Sequence, residues 1–229
     1  MGLMIKTDEI AGYFRSHDWG KSHRRTRMLS FLSASIAIGK NDLTTEIMYC
    51  LKKYKVPQSA VYETILQSYL FLGFPKMIEA AICFGEVFGQ KKSTRPVKGY
   101  SSHESERWYR MGYALCQRVY GKNFRLLKQR FSRLSPELFR WMVIEGYGKV
   151  LSRPGLSQTE RELAEVAALI AEGRERQLIS HLIGSLNVGA DIRLLREVAQ
   201  DIAPLVGMIS SRRADKTIDM VEKKYAAEK

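Results

Sequence analysis

The sequence predicts an all-α protein built as two tandem helical repeats packed in one subunit. Three observations carry that prediction. Helix start and stop signals are dense, whereas strand-like alternation is hard to find. Apolar residues recur at i, i+3, i+4 and i+7, the stripe of a half-buried helix. The sequence also matches itself, without a gap, at an offset of 134 residues.

Along the chain, 27-RMLSFLSASIAIG-39 closes on a glycine suited to a helix end. The most apolar stretch, 64-TILQSYLFLGFP-75, is too short and interrupted to span a membrane, which takes roughly 20 residues. In 134-LSPELFRWMVIEGYG-148, Ser135, Pro136 and Glu137 form a start signal with proline at the first helical position. In 157-SQTERELAEVAALIAEG-173, Ser157 and Glu160 have capping-box spacing. Leu163, Val166, Ala167 and Ile170 then make a stripe that Gly173 ends. A further helix over about 175–188 carries Leu178, Leu182 and Leu186 on one face and stops at Gly189. Asp191 caps another over about 192–206, stopped by Gly207.

At the 134-residue offset Arg27 meets Arg161, Leu29 meets Leu163, Ile36 meets Ile170 and Gly39 meets Gly173. Glu63 meets Glu197 and Gly73 meets Gly207. A three-helix unit of this size has little core of its own, so two copies are expected to pack together. The expected boundaries are a first repeat over 1–88, a basic linker over 89–104 and a second repeat over 105–229.

The 229-residue chain has a net charge of +13, and the stretch Lys91–Arg133 carries twelve Lys or Arg against Glu104 and Glu106. Such a surface attracts anions. No nucleic-acid-binding signature accompanies it, so a small anionic molecule is the expected partner rather than DNA or RNA. The start, 1-MGLMIKTDEI-10, lacks the apolar core of a secretory signal, and no membrane association is expected. Cys50, Cys83 and Cys116 are odd in number and far apart, which excludes a disulfide framework and points to a reduced, cytoplasmic compartment.

The stretch 145–202 resembles the carboxymuconolactone decarboxylase family, related to alkylhydroperoxidase D. The matching pieces are YGxVxSRPGLS, the EREL helix start, the QLxxH helix, LNxGA and the Glu of LLREV. The first half resembles it more loosely through 56-VPQSAVYETILQSYLFLGFPKMIEAA-81. The resemblance implies an all-helical oligomer, here a homotrimer with pseudo-sixfold symmetry.

Peroxidase-like members of that family carry Cys-x-x-Cys-x-x-x-His, with a Glu one helix earlier. Here His181 and Glu162 stand at the His and Glu positions, but Arg174 and Gln177 replace the cysteines. Thiol peroxidase chemistry needs an attacking and a resolving thiol, which these residues cannot supply. The decarboxylase-like members act on an anionic carboxylated lactone. That chemistry implies His181 as proton donor, Glu162 as its orienter, Arg153 and Arg161 as carboxylate binders, and Tyr147 as an apolar wall. In the first half Met28 and Ile47 stand at the Glu162 and His181 positions, so that half is expected to be non-catalytic. Lys149 stands where decarboxylase-like sequences often have Glu, which argues against an identical substrate. No cofactor is implied, and a single His without a second donor at ligand spacing implies no metal. The competing reading is a non-catalytic ligand-binding or scaffold member of the same fold.

Overall fold

A computed structural model describes residues 5–89 and 101–227. Its helices are α1 Ile10–Ser16, α2 Arg24–Ile38, α3 Asn41–Lys53, α4 Gln58–Phe88, α5 Ser102–Tyr120, α6 Phe124–Leu134 and α7 Pro136–Trp141. The last runs on as a π-helical stretch, Met142–Leu151, before α8 Gln158–Glu172, α9 Glu175–Asn187 and α10 Ile192–Ala227. The described residues contain no strand, and none of their helices is long and apolar enough to cross a membrane.

The helix ends follow local chemistry. Ser157 Oγ accepts the Glu160 N–H at 3.1 Å, and the Glu160 carboxylate accepts the Ser157 N–H at 2.8 Å. Asp191 accepts the Leu194 N–H at 2.7 Å. Ser135 accepts the Leu138 N–H, with Pro136 opening α7. Gly39 and Gly173 end α2 and α8 in the left-handed region, at φ 77° and 67°, where a side chain would be strained.

The bounds of α2 and α3 recur 134 residues later as the bounds of α8 and α9, and α4 and α10 start at the same spacing. Both long helices break at a matched glycine, Gly73 (φ 79°, ψ 166°) and Gly207 (φ 77°, ψ 163°).

The chain divides into two compact units, and not at the boundaries expected from sequence. One combines Met1–Gly89 with Gly155–Lys229; the other is Gln90–Pro154. The reason is packing: α2 lies most extensively against α8, so α8–α10 bury their faces on α2–α4. The expected linker is also shorter than its composition suggests. Residues 90–100 lie outside the described residues, but Ser101 caps α5 and forms a capping box with Glu104.

In the first unit two buried arginines cross the α2–α8 seam in opposite directions. Arg27 of α2 donates through Nε and NH2 to both oxygens of Asp201 on α10, at 2.7 and 2.6 Å. Arg161 of α8 donates to Gln67 and Glu63 on α4, each at 3.0 Å. A bidentate guanidinium–carboxylate pair fixes orientation as well as supplying energy. Tyr13, Phe14, Trp19 and Phe31 pack at one end of the seam, and His17 reaches Asp201 at 2.6 Å.

In the second unit α5 lies on the π-helical stretch with almost no space between backbones. A Cβ built on Gly112 would stand 2.0 Å from the Val143 carbonyl oxygen and 2.7 Å from the Gly148 nitrogen. Gly112→Ala is therefore expected to destabilise this unit by about 2–3 kcal/mol, because neither backbone contact is a flexible chain end. Limited proteolysis should show new cleavage within 101–154, with 5–89 and 155–227 still protected.

Candidate functional site

The site grows from two consecutive helices of the first unit. A side chain on the second turn of α8 meets one on the second turn of α9 when the short 172–175 connection folds them antiparallel. Glu162 and His181 meet in this way, with Glu162 Oε2 2.9 Å from His181 Nδ1. Both residues are buried, at 2% and 7% exposure.

The structure adds a residue that the sequence reading missed. Glu165, one turn beyond Glu162 on the same face of α8, also places Oε2 2.9 Å from His181 Nδ1. It is 1% exposed, and no other partner faces its carboxylate oxygens among the described residues. Nδ1 carries one hydrogen, so the two acids compete for it. Phe71 of α4 closes the ring's surroundings edge-on, with centroids 5.2 Å apart.

Electrostatics follow from this crowding. Burial alone would lower the His181 pKa, but the facing Glu162 and Glu165 charges outweigh it and raise it to about 10. Burial, then the Glu162 charge, push Glu165 up to about 7. With that shift the ring is an imidazolium near neutral pH, and its Nδ1 side is committed to carboxylates.

Among the described residues, Glu162, Glu165 and His181 are the one His, Cys and acid cluster compact enough for a metal, with donor atoms within 4.8 Å of one another. The sequence showed one donor of this set as a lone histidine; the fold supplies two carboxylates. A proton on Nδ1 already occupies the middle of the cluster, and a cation would have to displace it.

The other expected site residues are placed differently. Arg161 is 2% exposed and donates to Glu63 and Gln67, which braces α8 against α4. Tyr147 is 4% exposed inside the second unit, edge-on to Tyr120. Arg153 is an exposed side chain of the second unit. Trp141 is exposed. Lys149 pairs with Glu145 at 2.8 Å along the π-helical stretch. Arg174 and Gln177 are exposed at the start of α9. Cys50, Cys83 and Cys116 are buried and in no disulfide, and burial raises the Cys50 pKa to about 11 and that of Cys83 in the same direction. Neither Cys50 nor Cys83 is a poised nucleophile.

In the first half, Met28, Phe31 and Ile47 stand at the Glu162, Glu165 and His181 positions, and all three are fully buried. The same frame thus holds a titrating triad on one side and hydrocarbon on the other.

A family model described as the carboxymuconolactone decarboxylase family matches residues 136–218. Over 68 residues the chain is 37% identical to 4-carboxymuconolactone decarboxylase of Acinetobacter baylyi, a match covering 30% of this chain and 51% of that protein. The chain thus spans about half the length of that curated relative.

The triad sets a pH dependence of stability. A histidine raised from 6.5 to about 10 contributes stability that is complete below 6.5 and lost as pH rises through 10. A carboxyl raised from 4.5 to about 7 costs stability as pH rises between those values. Both effects have the same sign, so the triad stabilises most in mild acid. In urea titrations between pH 7 and 10 the wild type should lose stability more steeply than His181→Asn. Parallel curves would contradict this charge assignment.

Proposed function

Because residues 136–218 carry the segment of the carboxymuconolactone decarboxylase family, we propose that the protein is a carboxy-lyase acting on an anionic cyclic acid or lactone. The observation that carries this reading is the buried Glu162–His181 contact of 2.9 Å. It holds the imidazole by Nδ1 and leaves Nε2–H as the deliverable proton. In such a reaction the carbon–carboxylate bond breaks, and its electron pair passes into a conjugated carbonyl. The Nε2 proton then goes to the carbon left as a carbanion, and carbon dioxide departs. Glu162 keeps the ring in one tautomer and stabilises its charge before transfer. Recognition of the substrate's carboxylates falls to an arginine, whose fork matches a carboxylate. No cofactor enters this scheme, and a thiol does not either.

The same reading includes two tandem helical copies, of which only the second carries the chemistry. A homotrimer and a small anionic partner complete it. Nucleic acid is disfavoured, since the basic unit carries no recognition motif. Buried cysteines in no disulfide support a reducing cytoplasmic setting. One observation favours a second reading, ligand binding without turnover. A histidine titrating at about 10 is a reluctant proton donor near neutrality.

Turnover of carboxylated lactones, followed by loss of ultraviolet absorbance and release of carbon dioxide, tests the enzymatic reading. His181→Asn should lower the rate by roughly 100- to 10,000-fold, the usual worth of a positioned acid. Glu162→Gln should cost less, and Ile47→Val almost nothing. A His181→Asn protein with undiminished turnover would end the proton-donor assignment. Wild-type protein that binds such lactones without turnover would favour the second reading.

A further inference from the structure

The Glu162–His181 contact leaves Glu165 without a task. Packing does not call for a carboxylate there. At the matched position of α2 the frame holds Phe31, fully buried. Glu165 is 1% exposed, and among the described residues the one polar contact of its carboxylate is Oε2 with His181 Nδ1 at 2.9 Å, the distance at which Glu162 also stands. A buried carboxylate so sparsely paired costs free energy unless something else uses it.

We propose that Glu165 is a positioning residue that competes with Glu162 for the single Nδ1 proton of His181 and so sets how readily the ring releases the proton on Nε2. The inference rests on the reading of His181 as the proton carrier and deepens it. The charged groups acting on the pair come from α8: Glu162, and Arg161, which is itself tied to Glu63 and Gln67. From α4 the ring meets the uncharged edge of Phe71.

The physical logic is a difference in charge count. With both acids ionised, the imidazolium is over-stabilised and holds its proton. With Glu165 protonated, one of the two attractions is gone, and the ring becomes a stronger acid in the same geometry. Glu162 alone would fix the tautomer and leave the acidity unadjusted. Glu165 therefore separates the holding of the ring from the tuning of its proton. When ionised it adds to the proton affinity of the ring, and when protonated it takes that contribution away. Because the two groups are in contact, their titrations belong to the pair and the proton is shared between them as pH changes.

The test reads the proton directly. Histidine-selective 15N labelling and long-range 1H–15N correlations follow the tautomer and titration of His181 in wild type, Glu165→Gln and Glu165→Leu. Circular dichroism and thermal unfolding establish that each variant is folded. Leu mimics the apolar residue the frame already accepts at Phe31. Both variants should lower the His181 pKa by about one unit or more, since each removes a facing negative charge at hydrogen-bond distance. A residue that only packed would change the unfolding temperature and leave the titration in place. An unshifted His181 titration in either folded variant overturns the proposal. If neither variant folds, Glu165 is structural and the proposal fails as well. The readout needs no substrate, so failure of the carboxy-lyase reading leaves this result standing, and the converse holds too.

Discussion

Two buried arginines, exchanged across the seam between α2 and α8, are the interaction on which the rest of the first unit depends. Arg27 leaves α2 for Asp201 on α10, and Arg161 leaves α8 for Glu63 and Gln67 on α4. The positions correspond at the 134-residue spacing: Arg27 with Arg161, Glu63 with Glu197, Gln67 with Asp201. Arg27 also lies 3.8 Å from Glu197. Each half thus gives a cation to the other half's long helix. A guanidinium at such depth cannot be left alone, because an unpaired buried charge costs more than most side chains contribute. The exchange therefore fixes the register of α4 and α10 against the seam, and apolar packing of Leu29, Phe31, Leu32, Leu163 and Val166 fills what remains.

That brace also positions the chemistry. Glu162 follows Arg161 directly in sequence, so the helix turn pinned to α4 is the turn that faces His181. Fixing α8 by a bidentate donor on one side lets it present two acids on another without drifting. The half that lacks the triad keeps the brace and substitutes Met28, Phe31 and Ile47. A frame able to hold either set at the same three positions needs no support from the triad's charges, which frees those charges for function.

Much of this was legible in the sequence, and the failures have physical causes. Caps and terminating glycines are local chemistry, so Ser157, Asp191, Gly39 and Gly173 marked real helix ends. The nineteen-residue spacing of Glu162 and His181 survived because a short connection between two helices leaves little freedom. Glu165 was missed because the apolar stripe was read as the only buried face of its helix. In fact α8 is buried from Glu160 to Ile170 on every side, which polar residues within 160–165 disguise. The partners of Arg161 were not legible because they stand 94 and 98 residues away, beyond the reach of any helical pattern. Composition alone also drew the linker too long, since Ser101 and Glu104 in that serine-rich stretch turn out to cap a helix.

The central claim is that the exchanged arginines, rather than apolar contact alone, hold the two halves in register. A double-mutant cycle on Arg27 and Asp201, read by urea unfolding, tests it most directly. Arg27→Met and Asp201→Leu should each destabilise by about 3 kcal/mol, because each strips a buried charge of its bidentate partner and leaves it only His17 or the more distant Glu197. The double variant should be no less stable than either single variant, giving a coupling energy of about 3 kcal/mol. Single losses that simply add in the double variant would contradict the claim and return the register to hydrophobic packing.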